Sequence, residues 1–164
     1  MRVSTVLSVV ALLLTFSFFS YGMDTKCVVV GPAASDLSLI AREAADTQKQ
    51  ADEIEAYLRN SSLDWRTVTY QMAYLEEHVR NLQKLVAGFE RREPQLTEAQ
   101  GQQLERLKTG LATLTVFVND TYRLIAQQNL MPHRDALMAN AVAMRVRAGI
   151  IRDAARSLRV VTSA

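Results

Sequence analysis

The sequence has very little of several residue types, and each shortage excludes a class of protein. With a single cysteine, Cys27, no disulfide can form within one chain, so a disulfide-stabilised fold is excluded. The two histidines, His78 and His133, both lack a glutamate three residues earlier, as a di-iron site built from Glu-x-x-His pairs requires. Three prolines and six glycines in 164 residues leave few helix breaks, as an all-helical chain requires.

Charge and motifs exclude further functions. The formal net charge of +2 provides no overall field for attracting nucleic acid. The sequence has no GxxxxGK phosphate loop and no CxxCH haem-attachment motif. Glu76 and Glu77 are adjacent, so on a helix they point about 100° apart and cannot form a pair of catalytic carboxylates. The sequence therefore predicts a non-enzymatic protein with no catalytic residues, no metal site and no cofactor.

The N-terminus has the pattern of an export signal. Arg2 is followed by an uncharged, largely apolar run over residues 3–19, and Ser20 and Gly22 are small residues before a cleavage point. We expect residues 1–22 to be a signal peptide and the protein to be periplasmic or secreted. The alternative is an uncleaved segment that anchors the chain, because the run is near the roughly 17-residue lower limit for a membrane span. Membrane association is expected only through that segment.

Between the signal and the first periodic region, residues 23–34 are predicted to be a flexible N-terminal tail. This tail contains Cys27, which in an oxidising compartment either forms an intermolecular disulfide or remains a tolerated thiol. The predicted globular region covers residues 35–161.

Four segments of that region carry apolar residues spaced alternately three and four apart, the heptad pattern of packed helices. The predicted helices are Asp36–Asn60, capped by Ser35 or Asp36, then Leu63–Arg92, Glu98–Gln128 and a fourth from Pro132. The predicted inward positions are Leu37, Ile40, Ala44, Thr47, Ala51, Ile54, Leu58; Trp65, Val68, Met72, Leu75, Val79, Leu82, Val86, Phe89; Leu104, Leu107, Leu111, Leu114, Val118, Thr121, Ile125; and Leu137, Ala141, Met144, Ala148, Ile151, Ala155, Leu158. Short connections between long helices predict an all-α, up-down-up-down antiparallel four-helix bundle.

Residue size and charge predict which helices are neighbours. The first and fourth helices carry alanines seven residues apart, which let two helices approach closely. The first has six acidic and three basic side chains, whereas the fourth has six arginines and two aspartates. We therefore expect these two helices to pack side by side.

The fourth helix also has a second, outward-facing stripe of apolar residues with arginines beside it. Such a mixed surface is typical of contacts with a protein partner or a second copy of the chain. The residues of this candidate interface are Met138, Val142, Arg145, Val146, Ile150 and Arg152. The alternative is that the aliphatic residues are ordinary surface residues. Separately, Arg145, Arg152 and Arg159 are spaced every seven residues, which predicts either ion pairs with the acidic first helix or a ladder that binds an anion or a partner.

The segment LTEAQ, Leu96–Gln100, fits the LTxxQ pattern of the Spy/CpxP periplasmic chaperones, and the following GQQLERLK resembles that family in character. The resemblance implies a small, exported, all-helical protein that binds unfolded envelope proteins, although the family usually carries two such motifs and this chain has one. The chain also resembles small uncharacterised exported four-helix proteins of bacteria. Independently, Thr97 and Gln100 have the spacing of a capping box, which predicts the start of a helix.

These observations predict an exported binding or structural module. A Spy/CpxP-like chaperone or envelope-stress protein is the alternative. A small-ligand carrier is a third hypothesis, disfavoured because the inward positions have no ligating residues.

Overall fold

The computed structural model describes residues 32–60, 62–92 and 95–160, and these form four α-helices with short connections. The helices are α1 (Pro32–Leu58), α2 (Trp65–Glu90), α3 (Glu98–Ile125) and α4 (Arg134–Val160), and a short 3-10 turn, Met131–His133, precedes α4. Each helix packs against the next one along the chain, and α4 packs against α1, so the four enclose one core. The predicted all-α four-helix bundle is confirmed.

Some predicted boundaries differ from the structure at the N-terminal end. The predicted N-cap at Ser35 or Asp36 is wrong, because α1 already begins at Pro32. The fixed φ angle of proline suits the first helical turn, where no backbone N–H donor is needed. Residues 32–34 of the predicted tail therefore belong to the helix. The predicted signal peptide, residues 23–31 of the tail, including Cys27, and residue 161 of the predicted globular region lie outside the described residues.

The other helices are shorter than the sequence pattern indicates. Asp64 caps α2 by accepting hydrogen bonds from the backbone N–H groups of Arg66 and Thr67, so the helix begins at Trp65 rather than Leu63. The Arg66 N–H hydrogen bond is the main reason that the pKa of the Asp64 carboxyl is lowered.

At their far ends, α2 and α3 stop at Glu90 and Ile125, two and three residues before the predicted limits. The chain after α3 turns through Gln128, which has a φ angle of 56°, and a helix cannot continue through that backbone conformation. Pro132 lies in the 3-10 turn, so α4 itself starts two residues later.

The predicted inward positions form the core. All are buried except Trp65 and Leu104, which are partly buried and pack against the core from the ends of their helices. Thr47 and Thr121 occupy core positions by donating their hydroxyls to the carbonyls of Glu43 and Phe117, at 2.7 and 2.8 Å. Bonding to the preceding turn therefore satisfies both hydroxyls within their own helices.

The α1–α4 interface is the most extensive of the four, which confirms the predicted neighbours. Ala44 and Ala51 of α1 are fully buried, and so are Ala141, Ala148 and Ala155 of α4. Alanine side chains allow helix axes to approach at the short end of the usual range of roughly 8–10 Å. The close approach of these two helices therefore depends on small side chains on both sides.

The α2–α3 interface is the smallest and uses polar contacts. Tyr122 donates to Glu76 at 2.9 Å, and Lys108 lies 2.9 Å from Glu90. Burial, helped by the bond to Glu76, raises the pKa of Tyr122 to about 12. The hydrogen bond to Glu90 raises the pKa of Lys108. These side chains connect two helices whose inward residues are bulky.

The LTEAQ segment starts α3. The Thr97 hydroxyl accepts the backbone N–H of Gln100 at 3.3 Å, and the Gln100 side-chain oxygen accepts the backbone N–H of Thr97 at 2.8 Å. Both bonds of the predicted capping box are present. Helix initiation therefore accounts for Thr97 and Gln100 without a ligand.

Replacing Ala148 by leucine should overpack the α1–α4 interface and lower the free energy of unfolding by roughly 1–3 kcal/mol. The measurement is chemical denaturation followed by circular dichroism. Ala139→Leu is the matched control, because Ala139 lies on the same helix but is exposed. Equal midpoints for the two variants would contradict close packing of the alanines between α1 and α4.

Replacing Thr97 by alanine should lower the free energy of unfolding by about 1 kcal/mol, since the N3 amide loses its acceptor. Thr97→Ser keeps a hydroxyl and should restore most of that loss in the same denaturation experiment. If both variants unfolded at the wild-type midpoint, the capping box would contribute nothing to stability.

Candidate functional site

The two flanks of α1 have different compositions. The flank that faces α2 carries polar side chains every seven residues: Asp36, Glu43, Gln50 and Tyr57. The flank that faces α4 has residues spaced alternately three and four apart: Ser38, Ala41, Ala45, Gln48, Asp52 and Glu55. Along this second flank the side chains change from small and uncharged to acidic, whereas the facing helix, α4, is rich in arginine throughout the contact.

Each of these four polar residues on the α2 side has a partner in or next to α2. Asp36 pairs with Arg92. Glu43 lies 2.8 Å from Nδ1 of His78, and its carboxylate also accepts a 3.3 Å hydrogen bond from Asn81. Both acids in the first three turns of α1 are therefore directed towards α2 and away from α4.

On the α4 side, the acidic half of the flank pairs with arginines. Arg145 places Nε 3.3 Å from carboxylate oxygens of both Asp52 and Glu55. This Nε is buried and not aligned for a hydrogen bond with any described group, so its contact with the two carboxylates is electrostatic. Arg152 donates to the side-chain oxygen of Gln48 at 2.8 Å. Two of the three arginines spaced seven apart therefore connect α4 to α1.

The small-residue half of the flank instead borders a groove of about 350 Å³ between α1 and α4. We call it the arginine groove; its lining residues are Leu37, Ser38, Ala41, Arg42, Ala45, Arg156 and Arg159. None of these described lining residues is acidic. Within the described part of the chain, Arg42 and Arg156 have no ion pair or hydrogen bond from their side chains. The groove thus concentrates positive charge over a floor of small side chains.

A second groove, of about 440 Å³, lies on the other side of the same half of α1, against α2. We call it the mixed groove; its lining residues are Leu39, Arg42, Glu43, Asp46, Asn81, Lys84 and Leu85. Leu39 is 46% exposed, so an apolar side chain lies beside both signs of charge. Arg42 lines both grooves, which places it on the ridge between them.

Charged and hydrogen-bonding side chains surround the two grooves. His78 and Glu43 form a histidine–carboxylate contact like the one in a catalytic triad. Among the described residues, however, no serine, threonine or cysteine side chain hydrogen-bonds to His78. Within residues 32–60, 62–92 and 95–160, no three or more His, Cys, Asp or Glu side chains form a group suited to a metal ion. What the two grooves offer is charge, hydrogen-bond donors and a little apolar surface.

The small net charge conceals a separation of charge along the bundle. Each helix can be divided at its midpoint, which leaves out Arg147 at the midpoint of α4. The described half of the bundle that contains the start of α1 then has ten lysines and arginines and six acids. The opposite half has six against nine. Both grooves lie in the positive half, where an anionic partner would be attracted.

The six residues of the candidate interface on α4 do not share one environment. Arg145 and Arg152 point towards α1 and contact it. Ile150 lies on the α3 side, where a methyl group of its side chain would be 3.7 Å from a Cβ on Gly110. Met138 and Val142 are partly buried, Met138 against the core, and Val146 between these two sides is 49% exposed. A face centred on Val146 stays a hypothesis.

Large exposed apolar side chains are distributed around the described bundle. They are Leu39, Tyr70, Tyr74, Val116, Met131 and Val146, with at most two on any one helix. Tyr70 and Tyr74 pack edge to face, with their ring centroids 4.8 Å apart. These six side chains therefore do not combine into one broad apolar surface for unfolded clients.

No protein-family model, no curated protein and no solved structure matches this chain. In the described part of the chain, no helix is both long enough and apolar enough to cross a membrane. Evidence for a function at the candidate site therefore comes from its geometry.

Sequence reasoning missed both grooves. The contact of His78 with Glu43 is not visible in the local sequence, because the two residues are 35 positions apart. The net charge of α1, taken over its whole length, also does not show that its acids lie on different flanks. A signal was available in the spacing of Ser38, Ala41 and Ala45, which shows that the α4-facing flank has no acid in its first half.

Replacing Arg145 by alanine should lower the free energy of unfolding by about 1 kcal/mol, because the mostly buried Glu55 loses a counter-charge. Arg156→Ala is the matched control on the same helix. Because Arg156 has no partner among the described side chains, its removal should change stability by less than roughly 0.5 kcal/mol. Denaturation midpoints measure both. Equal losses would show that pairing does not distinguish these two arginines.

Proposed function

We propose that this protein is an exported, non-enzymatic binding module that contacts a protein partner through the exposed surface around the first half of α1. The observation that carries this proposal is the pair of grooves that meet at Arg42. In a bundle with a purely structural role, we expect the positive charges at these grooves to be paired or absent, because like charges placed together oppose folding.

Three features support the proposal. The N-terminal sequence has the pattern of an export signal. The mixed groove combines Leu39 with charges of both signs, the mixture of apolar and polar groups that protein interfaces present. Within the described residues, Lys84 and Asp46 of this groove also have no ion pair of their own. Their charges are therefore available to an incoming partner.

The alternative is a Spy/CpxP-like chaperone that binds many unfolded envelope proteins. The two functions differ in what the protein would retain. A binding module retains one folded protein in a fixed ratio, whereas a chaperone retains a mixture of denatured proteins through apolar contact and suppresses their aggregation.

Affinity capture from an envelope extract tests the proposal. The full chain, expressed with its own N-terminal segment, should retain a specific protein that the double variant Arg42→Glu/Lys84→Glu fails to retain, because charge reversal destroys complementarity at both grooves. The matched control, Arg106→Glu/Arg147→Glu, changes the net charge equally and should retain the same protein. Arg106 and Arg147 lie outside both grooves and have no ion pair among the described residues.

Light scattering on the same samples shows whether the retained partner is a second copy of this chain. A mixture of denatured proteins, retained equally by all three chains, would favour the chaperone. A single partner retained equally by all three would place binding elsewhere, and retention of nothing would contradict a binding module.

A further inference from the structure

We propose that the arginine groove is a binding site for a phosphate-bearing anion, held between Arg42 of α1 and Arg156 of α4. The inference rests on the proposed binding role of the surface around the first half of α1 and specifies the ligand of one of its grooves. It concerns a small ligand at the α4 side, so it can fail while a protein partner still binds the mixed groove.

The first argument is the charge of the groove. Three guanidinium groups line it, and the described lining residues include no carboxylate. Arg42 and Arg156 have no ion pair or hydrogen bond among the described side chains. The acids Asp36 and Glu43 pair instead with Arg92 and His78, on the opposite flank of α1. In the acidic half of the same interface, by contrast, the carboxylates of Asp52 and Glu55 both lie beside Arg145.

The second argument is the shape of the groove. Arg42 is on one wall, and Arg156 and Arg159, three residues apart on one helix, are on the other. Ala41 and Ala45 form a floor with no side chain beyond Cβ, so an anion has room between the arginines. Its volume of about 350 Å³ is within the range of small-ligand sites, roughly 300–1,000 Å³.

The third argument is the fit between arginine and phosphate. A guanidinium presents several N–H donors in a planar fork, which matches two oxygens of a phosphate group. Phosphate oxygens accept hydrogen bonds from several directions, so guanidiniums on two walls can bind one group together. Ser38, also in the lining, adds a hydroxyl donor.

A structural role accounts for only part of this arrangement. Arg159 lies in the last turn of α4, and Arg156 lies one turn earlier, where cations offset the negative end of the helix dipole. That effect does not explain Arg42, which is on the other helix and beyond its first turn. A ligand that bridges the helices accounts for Arg42 and Arg156 together.

Two sources could supply the phosphate. One is a soluble phosphate ester in the surrounding compartment. The other is an anionic phospholipid headgroup, because the groove lies in the half of the bundle where α1 begins. Twelve residues, 20–31, separate the apolar run over residues 3–19 from Pro32. If that run stayed in a membrane, this half would lie within roughly 40 Å of the headgroups, the reach of twelve extended residues.

The experiment has one arm for each source and uses the full chain. Isothermal titration with inorganic phosphate, at constant ionic strength set by chloride, measures the soluble arm. Sedimentation with vesicles of phosphatidylglycerol and phosphatidylcholine, against phosphatidylcholine alone, measures the lipid arm. The test variant is Arg42→Gln/Arg156→Gln, and Arg106→Gln/Arg147→Gln is the control with the same change of charge.

We expect saturable binding in at least one arm, weakened at least tenfold in the Arg42→Gln/Arg156→Gln variant and by less than twofold in the control. Binding in the phosphate arm alone identifies a soluble ester, and binding in the vesicle arm alone identifies a headgroup. Thermal melting of each variant verifies folding. Arg42→Lys/Arg156→Lys, which keeps the charge but loses the planar fork, should weaken binding severalfold and provides a second test if the glutamine variant does not fold.

Three results would overturn the proposal. They are equal binding by the wild type and the folded groove variants, equal weakening in the Arg106→Gln/Arg147→Gln control, and no saturable binding in either arm.

Discussion

The close approach of α1 and α4 across their alanines is the constraint on which the rest of the structure depends. Because the buried side chains at this contact are small, the residues on the flanks of the two helices are brought within reach of each other. That proximity lets Arg145 reach the carboxylates of α1 and Arg152 reach Gln48. It also leaves a groove wherever the α1 flank has side chains too short to fill the space. The alanine contact between α1 and α4 therefore determines the packing of the bundle and the position of its candidate binding site.

The arginines of α4 have two different environments along the interface with α1. In the half of the interface where α1 supplies Asp52 and Glu55, an arginine is neutralised and holds two helices together. In the other half, α1 supplies alanine and serine, so the arginines line an open groove. The difference arises on α1, since its early acids are directed to α2. Along one interface, therefore, the acidic half of α1 pairs with α4, whereas the other half leaves Arg42 and Arg156 without a partner among the described side chains.

Much of the fold could be predicted from the sequence because burial in a helical bundle repeats with a local period. The three-and-four spacing identified nearly every core position, and alanine spacing identified the neighbouring helices. The sequence could not predict the exact direction of each charged side chain, because this depends on the rotation of each helix about its axis, which the whole core determines. The net charge of α1 therefore indicated pairing along its full length, whereas Glu43 turns to His78 and leaves Arg42 without an acid on the α4 side. The start of α1 was missed for a different reason: a proline that ends helices in most contexts is compatible with a first turn.

The LTEAQ segment shows how a functional reading and a structural one can be separated. The two hydrogen bonds between Thr97 and Gln100 account for both polar positions of the motif, so its presence alone does not favour a chaperone over any other helical bundle. Arg42 differs in this respect. Its side chain forms no ion pair or hydrogen bond within the described part of the chain, and it lies on a ridge between two grooves. Thr97 and Gln100 have a complete structural role and add little evidence of function. Arg42 and Arg156 line one groove from two helices and have no partner among the described side chains, which supports the proposed anion site. The proposed anion site therefore lies between α1 and α4 and does not involve the motif that resembles a known family.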